Sequence, residues 1–198
     1  MRLVPEFIRQ FFPWVILHRK KQSVRHEIQS IRQHFHTPDV VEQSAQIVAR
    51  IESLPEFQQA KVVMLYYPKG HEVDLRAILQ HYGDTKTLLL PVTRHNGLEV
   101  RPYLGEDHMT LGKFGVMEPD SPTYIGPIDI VLVPGVAFDD QCYRLGRGGG
   151  YYDRFLERLV GGKRIGVAFD FQILEVVPHN WLDARMDGVV SPSRIIAR

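Results

Sequence analysis

Three short stretches constrain this chain most: residues 62–67 (VVMLYY), a continuous apolar run, and residues 129–134 (DIVLVP) and 164–169 (RIGVAF), each largely apolar after a leading charged residue. Unbroken β-branched and aromatic runs of this length are the pattern of strands covered on both faces, as in a parallel sheet packed between helices. The segments between them carry helical signals. Val24, Ile28, Ile31 and Phe35 recur at spacings of four, three and four, one stripe of a helix over residues 20–35. Thr37-Pro38 is a helix start, and Val41, Ala45, Val48 and Ile51 supply the buried face of a helix ending near Leu54-Pro55. Further helices are expected at residues 74–82 and 150–160, and further strands at 87–91, 98–103 and 187–191. Strands alternating with helices predict an α/β, single-domain, three-layer sandwich with a mostly parallel sheet.

The chain has 198 residues, 44% of them apolar, so one unit with a substantial core is expected. Its 24 Lys and Arg against 23 Asp and Glu leave a formal charge of +1. No general basic field exists to hold nucleic acid or an anionic membrane, so an anion site must be local. One cysteine, Cys142, excludes an internal disulfide and fits a reducing, cytoplasmic setting. Residues 1–17 are expected to form an apolar N-terminal extension ahead of a single α/β domain over residues 18–198. The extension's apolar part, residues 7–17, is interrupted by Arg9 and Pro13 and falls short of the roughly 20 residues of a bilayer span. It also lacks the small-residue cleavage site of a secretory signal. A segment docked on the fold, or an artefact of start-site choice, is favoured over a partner-binding patch. A monomer is expected.

The most unusual stretch is RLGRGGGYYDRF, residues 144–155, which follows an expected buried strand and runs into a helix. Glycines 146, 148, 149 and 150 let the backbone approach a ligand and let successive N–H groups converge on an anion. Arg144 and Arg147 could neutralise phosphate oxygens, and Asp153 could hold a hydrated Mg²⁺ bridging them. The alternative is a flexible loop with an acid at a helix start, and the flanking charges favour the phosphate site. The stretch is neither GxxxxGK followed by Ser or Thr nor the GxGxxG turn of dinucleotide folds.

Lys21 and Arg25 share a helix face and could clamp a polyphosphate, although such pairs usually form a solvated face. Glu72 and Asp74 follow the strand at 62–67, either at a ligand crevice or as helix-capping acids. Asp187 before Gly188 is a turn residue or a second acid for a metal. Zinc spacing, HExxH, a GxSxG elbow and a motif around Cys142 are all missing, so neither zinc nor covalent catalysis is suggested.

Lys21 and Arg25, Tyr67 with Glu72-Val73-Asp74, Leu90-Pro91-Val92, Gly115 with Glu118-Pro119, residues 133–139 (VPGVAFD), residues 144–153 and Met186-Asp187 form one ordered set along the chain. In the order and spacing of these residues the chain resembles the 5-formyltetrahydrofolate cyclo-ligase (methenyltetrahydrofolate synthetase) family. It implies an enzyme closing 5-formyltetrahydrofolate to 5,10-methenyltetrahydrofolate with ATP and Mg²⁺, and a fold akin to sugar-phosphate isomerases and CoA transferases. Carried over residue by residue, it implies an ATP site at Lys21, Arg25, Arg144, Leu145, Gly146, Arg147, Gly148, Gly149, Gly150, Tyr151 and Tyr152. Folate contacts would be Tyr67, Glu72, Arg147, Gly148, Gly149, Gly150 and Tyr151, with Arg144, Arg147 and Tyr151 acting in catalysis and Asp153 and Asp187 as magnesium ligands. Two rivals are a sugar-phosphate isomerase using Glu72 as general base and a non-catalytic phosphometabolite sensor.

Overall fold

The structure is a computed structural model that describes residues 6–95 and 97–198, with backbone alone for residues 6–12. Among the described residues the strands are, in chain order, β1 (Val62–Met64), β2 (Thr87–Arg94), β3 (Gly97–Pro102), β4 (Met109–Leu111), β5 (Met117–Pro119), β6 (Ile130–Pro134), β7 (Ala137–Asp139), β8 (Arg144–Leu145), β9 (Lys163–Val167), β10 (Ile173–Leu174), β11 (Gly188–Val190) and β12 (Ile195–Ala197). The helices are α1 (Glu6–Gln33), α2 (Thr37–Ser53), α3 (Pro55–Gln59), α4 (Arg76–Tyr82) and α5 (Tyr151–Glu157). Seven strands form the main sheet in the order β12-β11-β9-β6-β1-β2-β3. The continuous apolar runs occupy its centre as β1, β6 and β9, all parallel, as are β2 and β11. Within this sheet, among the described residues, only the edge strands β3 and β12 pair antiparallel.

Alternation along these strands sends side chains to two cores, and so makes three layers. Val63, Leu65, Leu88, Leu90, Ile130, Leu132 and Val167 pack against Ile47, Ile51, Phe57 and Ile78 from α2, α3 and α4. Met64, Leu89, Val131, Val133 and Val189 face Phe138, Cys142, Leu156 of α5 and Met186 on the other side. The α2 stripe is turned by one position from the expected face. Val40, Ser44, Ile47, Val48 and Ile51 are buried, whereas Val41 is 64% exposed and Ala45 lies on the surface. The apolar residues Val40, Ile47 and Ile51 define a four-and-seven spacing that competes with the one through Val41.

Other corrections concern length. Among the described residues the first helix spans Glu6–Gln33, passing through Pro13 and already formed well before residue 20. Residues 1–5, and the side chains of 6–12, lie outside the described residues, so docking of the expected extension can be followed only from residue 13. Trp14, Val15 and Ile16 are exposed there rather than docked. The expected loop at 104–127 contains the antiparallel hairpin β4–β5, and the loop after β6 contributes β7 and β8 to a three-stranded sheet with β10. Strands this short carry too little periodicity to be read from sequence.

The topology also fixes where a ligand crevice opens. From β1 the chain passes to β2 on one side, then returns to β6 on the other. Such a reversal leaves a gap beyond the carboxyl ends of the strands that flank it. Phe138 wedges under this end, and a Cβ on Gly166 of β9 would lie 2.5 Å from its ring. Gly166→Ala is therefore expected to destabilise the fold by about 1–3 kcal/mol through overpacking, measured as a lower urea midpoint with an unchanged slope.

Candidate active site

The crevice beyond β1, β2 and β6 holds a cavity of about 450 Å³. Tyr66, Tyr67 and Glu72 after β1, Thr93 on β2, Pro134 at the end of β6, Glu118 on β5, and the glycine segment with Tyr151, Tyr152 and Asp153 all line it. Beside it, between α1 and the same segment, lies a second cavity of about 600 Å³ lined by Arg25, Arg32, Lys69, His71 and Arg147. Lys69 and Arg147 border both cavities.

Local backbone explains the glycine segment. Gly148 and Gly150 have φ of 104° and 65°, the left-handed region that a side chain disfavours, and Gly150 is the residue from which α5 starts. The segment is anchored from below by Arg144, whose side chain is only 3% exposed. Arg144 Nη1 donates to the Pro134 carbonyl at 3.1 Å and Nη2 donates to Asp153 Oδ1 at 2.7 Å. The Ala184 N–H also donates to Asp153 Oδ1, at 3.3 Å. Before Arg144 the chain turns around Asp139, which is 1% exposed and accepts from the N–H groups of Gln141, Tyr143 and Val177.

The wall opposite is aromatic. Phe114 stands edge-on to Tyr151, with ring centroids 6.4 Å apart. Its φ of 67° is strained for a residue with a side chain, and its carbonyl accepts from Lys69 Nζ. Tyr67 and Tyr103 both donate to Glu106, at 3.3 and 3.1 Å. Burial, and then the nearby Glu106 carboxylate, raise both phenols above their ordinary range, Tyr103 to about 12. Tyr152 is held protonated more strongly, first by burial.

Electrostatics distinguish the second cavity. Arg147 Nη2 reaches Glu72 Oε1 at 2.5 Å, while Glu72 Oε2 accepts from the Lys69 N–H at 2.9 Å. Arg25 Nε donates to the Gly146 carbonyl at 2.9 Å. Burial lowers the Arg25 guanidinium, although Asp183 and Asp153 act against it. Arg32 is lowered by burial and by Arg147, against the pull of Glu72. Among the described residues no acid lines this cavity, and the Nε of Arg32 is buried without a partner. Cations crowded in this way favour an anionic ligand.

Arg25, Arg144, Gly146, Arg147, Gly149, Gly150, Tyr151, Tyr152, Asp153, Tyr67 and Glu72 are thus brought to one region. Gly148 is packed beneath the Arg25 guanidinium. Three residues stand apart from the cavities. Lys21 is paired with Asp183 at 2.5 Å and lines neither. Leu145 is 1% exposed and contributes backbone, its carbonyl accepting from the Val136 N–H. Asp187 lies at the amino-terminal end of β11, where Oδ2 accepts from the Arg164 N–H on β9 at 2.8 Å. That is the end of the parallel sheet opposite the crevice, so Asp187 is not placed beside Asp153. The residues not anticipated as site residues are Arg32, Lys69, Thr93, Phe114 and Glu118. Glu118 carried a signal, its place beside Pro119 in the family resemblance; the others look like ordinary surface residues until the fold assembles them.

Asp153 also has a structural duty that its replacement will expose. Removing the carboxylate leaves Arg144 buried and uncompensated, so Asp153→Ala is expected to cost about 3–5 kcal/mol. Asp153→Asn, which retains an acceptor for Arg144, is expected to cost clearly less in the same denaturant titration.

With this geometry established, comparison with known proteins is informative. The model of the 5-formyltetrahydrofolate cyclo-ligase family matches residues 17–192. The 5-formyltetrahydrofolate cyclo-ligase of Haemophilus influenzae is 32% identical over 183 residues, covering 87% of this chain and 97% of that protein. The NMR structure of Aquifex aeolicus 5,10-methenyltetrahydrofolate synthetase superposes with a TM-score of 0.81 at 34% identity, covering 89% of this chain and 92% of that one. A 5,10-methenyltetrahydrofolate synthetase from Mycoplasma pneumoniae shares the fold, with a TM-score of 0.69 at 23% identity over 87% of this chain and 98% of that one.

Proposed function

Because the chain belongs to the 5-formyltetrahydrofolate cyclo-ligase family, we propose that it closes 5-formyltetrahydrofolate to 5,10-methenyltetrahydrofolate with ATP and Mg²⁺, releasing ADP and phosphate. The observation that carries this reading is a pair of cavities that share Lys69 and Arg147 but differ in the rest of their lining. One is cationic and suits nucleotide phosphates; the other is walled by Tyr67, Phe114 and Tyr151 and suits a flat folate ring. Arg147 and Lys69 stand where the two meet, which is where a transferred phosphoryl group would lie.

The chemistry needs such a boundary. A formamide oxygen is a poor leaving group, so the γ-phosphoryl group is transferred onto it. N10 of the folate then bonds to the formyl carbon and gives up its proton. The carbon–oxygen bond breaks, and inorganic phosphate leaves. The nucleophile belongs to the substrate, so the protein's work is positioning and charge stabilisation. Arg25, Arg32 and Lys69 bind the phosphates, with the backbone of residues 146–150 shaping the loop around them. Arg147 stabilises the oxygens of the group in transfer, and Arg144 holds the loop and Asp153 in place. Tyr67 and Glu72 contact the folate, as Tyr151 does from the loop.

Among the described residues no cluster of three His, Cys, Asp or Glu side chains could hold a metal alone. Mg²⁺ commonly uses one carboxylate, several waters and the substrate phosphates, a mode that Asp153 at the cavity wall fits and the separated pair Asp153 and Asp187 does not. When bound there it would neutralise phosphate charge. No helix among the described residues is long and apolar enough to cross a membrane. The single buried thiol, Cys142, fits our proposal of a cytoplasmic setting.

The test is the near-ultraviolet absorbance of methenyltetrahydrofolate when protein meets 5-formyltetrahydrofolate. A signal is expected only with ATP and Mg²⁺ together. Arg147→Ala is expected to lower kcat about a hundredfold or more while leaving the melting temperature nearly unchanged, as for loss of one transition-state donor. Folded wild-type protein that gives no signal at saturating substrates would overturn the reading.

A further inference from the structure

A buried carboxylate that the proposed chemistry does not use sits on the wall of the aromatic cavity. Glu118, on β5, is 6% exposed and lines that cavity. Its Oε1 accepts from the Thr93 N–H at 2.9 Å, so the carboxylate is fixed against β2. The hairpin is shaped around it: a Cβ on Gly112 would lie 2.2 Å from Glu118 Cδ and 2.3 Å from Oε2. Gly112 itself has φ of −90°, a conformation open to any residue, so glycine is required there by the carboxylate rather than by the turn. The Thr93 N–H occupies only part of the acceptor capacity of the two oxygens. No ion pair to Glu118 is formed among the described residues. A buried carboxylate at the wall of an aromatic pocket is matched by a ligand edge that presents two adjacent N–H donors.

We propose that Glu118 is the specificity-determining residue that reads the amino-pyrimidinone edge of the folate ring, accepting hydrogen bonds from the ring N3–H and the exocyclic 2-amino group. This rests on the cyclo-ligase reading above and adds to it the orientation of the ring. The edge that carries the amino group turns toward β5 and Thr93, leaving the opposite side, with the formyl group and N10, toward Arg147 and the glycine segment. A rigid carboxylate also excludes rings that present an acceptor at that edge, because two facing acceptors would be buried unpaired.

The experiment compares 5-formyltetrahydrofolate with its 2-desamino analogue on wild type, Glu118→Gln and Gly112→Ala. KM and kcat are taken from methenyl absorbance, and Kd from calorimetry. Wild type is expected to lose about tenfold to a hundredfold in KM and Kd on the analogue, the range for a hydrogen bond to a charged group. Glu118→Gln is expected to raise KM for the natural substrate by a similar factor with kcat nearly unchanged, and to discriminate between the two substrates by no more than about twofold. Gly112→Ala, which displaces the carboxylate without removing it, is expected to move in the same direction. Equal binding of the two substrates by wild type, or undiminished discrimination by folded Glu118→Gln, would overturn the proposal. If Glu118→Gln does not fold, Gly112→Ala and the wild-type comparison decide. Absence of turnover by wild type with intact folate binding would refute the proposed reaction, leaving Kd to judge Glu118 separately.

Discussion

The site depends on a single buried guanidinium. Arg144 ties the carbonyl of Pro134, the last residue of β6, to the carboxylate of Asp153 in the first turn of α5. A charge this deep is tolerated only with a well-placed opposite charge and further hydrogen bonds. Both conditions are met here, and they fix the two ends of the glycine segment relative to the sheet. The segment between them can then be almost free of side chains and still have a defined path. Its Nε remains unpaired, which leaves one donor of this arginine without a protein partner. Asp139 performs the same service one turn earlier, gathering three N–H groups so that the chain leaving β7 returns as β8.

What could be read from sequence follows from how many residues carry each signal. The runs at 62–67, 129–134 and 164–169 are legible because burial on both faces demands an unbroken apolar string, and no other element of that length does. Gly146 to Gly150 is legible because clustered glycine in a folded chain has few uses apart from close approach and left-handed backbone. Failures occur where two readings share the same residues. Val40 and Val41 offer adjacent helix faces, and only packing against the sheet selects the first. Asp187 precedes a strand that enters the sheet at the end opposite the crevice, a fact of topology that no local pattern records. Lys21 keeps its expected helix face but spends its charge on Asp183, which lies 162 positions along the chain. The hairpin of β4 and β5 was invisible because six residues in two strands cannot show a period.

The placement of charge answers a difficulty raised by composition. A chain of net charge +1 has no field to attract a polyanion, yet the cavity beside α1 gathers Arg25, Arg32, Lys69 and Arg147 with no acid among the described residues of its wall. These cations come from three separated stretches, so their repulsion is borne by the fold rather than by any local segment. Burial lowers Arg25 and Arg32, which means that desolvation already works against their charge. A polyphosphate bound there, as proposed, would relieve both costs together, restoring an opposite charge and replacing the water that burial removed.

On the proposed reading, Glu72 would make this arrangement responsive to its ligands. It holds Arg147, and the Lys69 N–H holds Glu72, so the residue at the junction of the two cavities has a partner before any ligand arrives. Arg147 is 58% exposed and on a glycine-rich segment, so exchanging that partner costs little packing. A phosphate group entering from the cationic side competes with Glu72 for the guanidinium. A carboxylate released in this way is then available to donors entering from the aromatic side. On the proposed reading, occupation of one cavity would change the partner offered in the other through this one ion pair, whose two members border the aromatic cavity. Two ligands sharing one arginine and one glutamate in this way would be coupled without a moving domain.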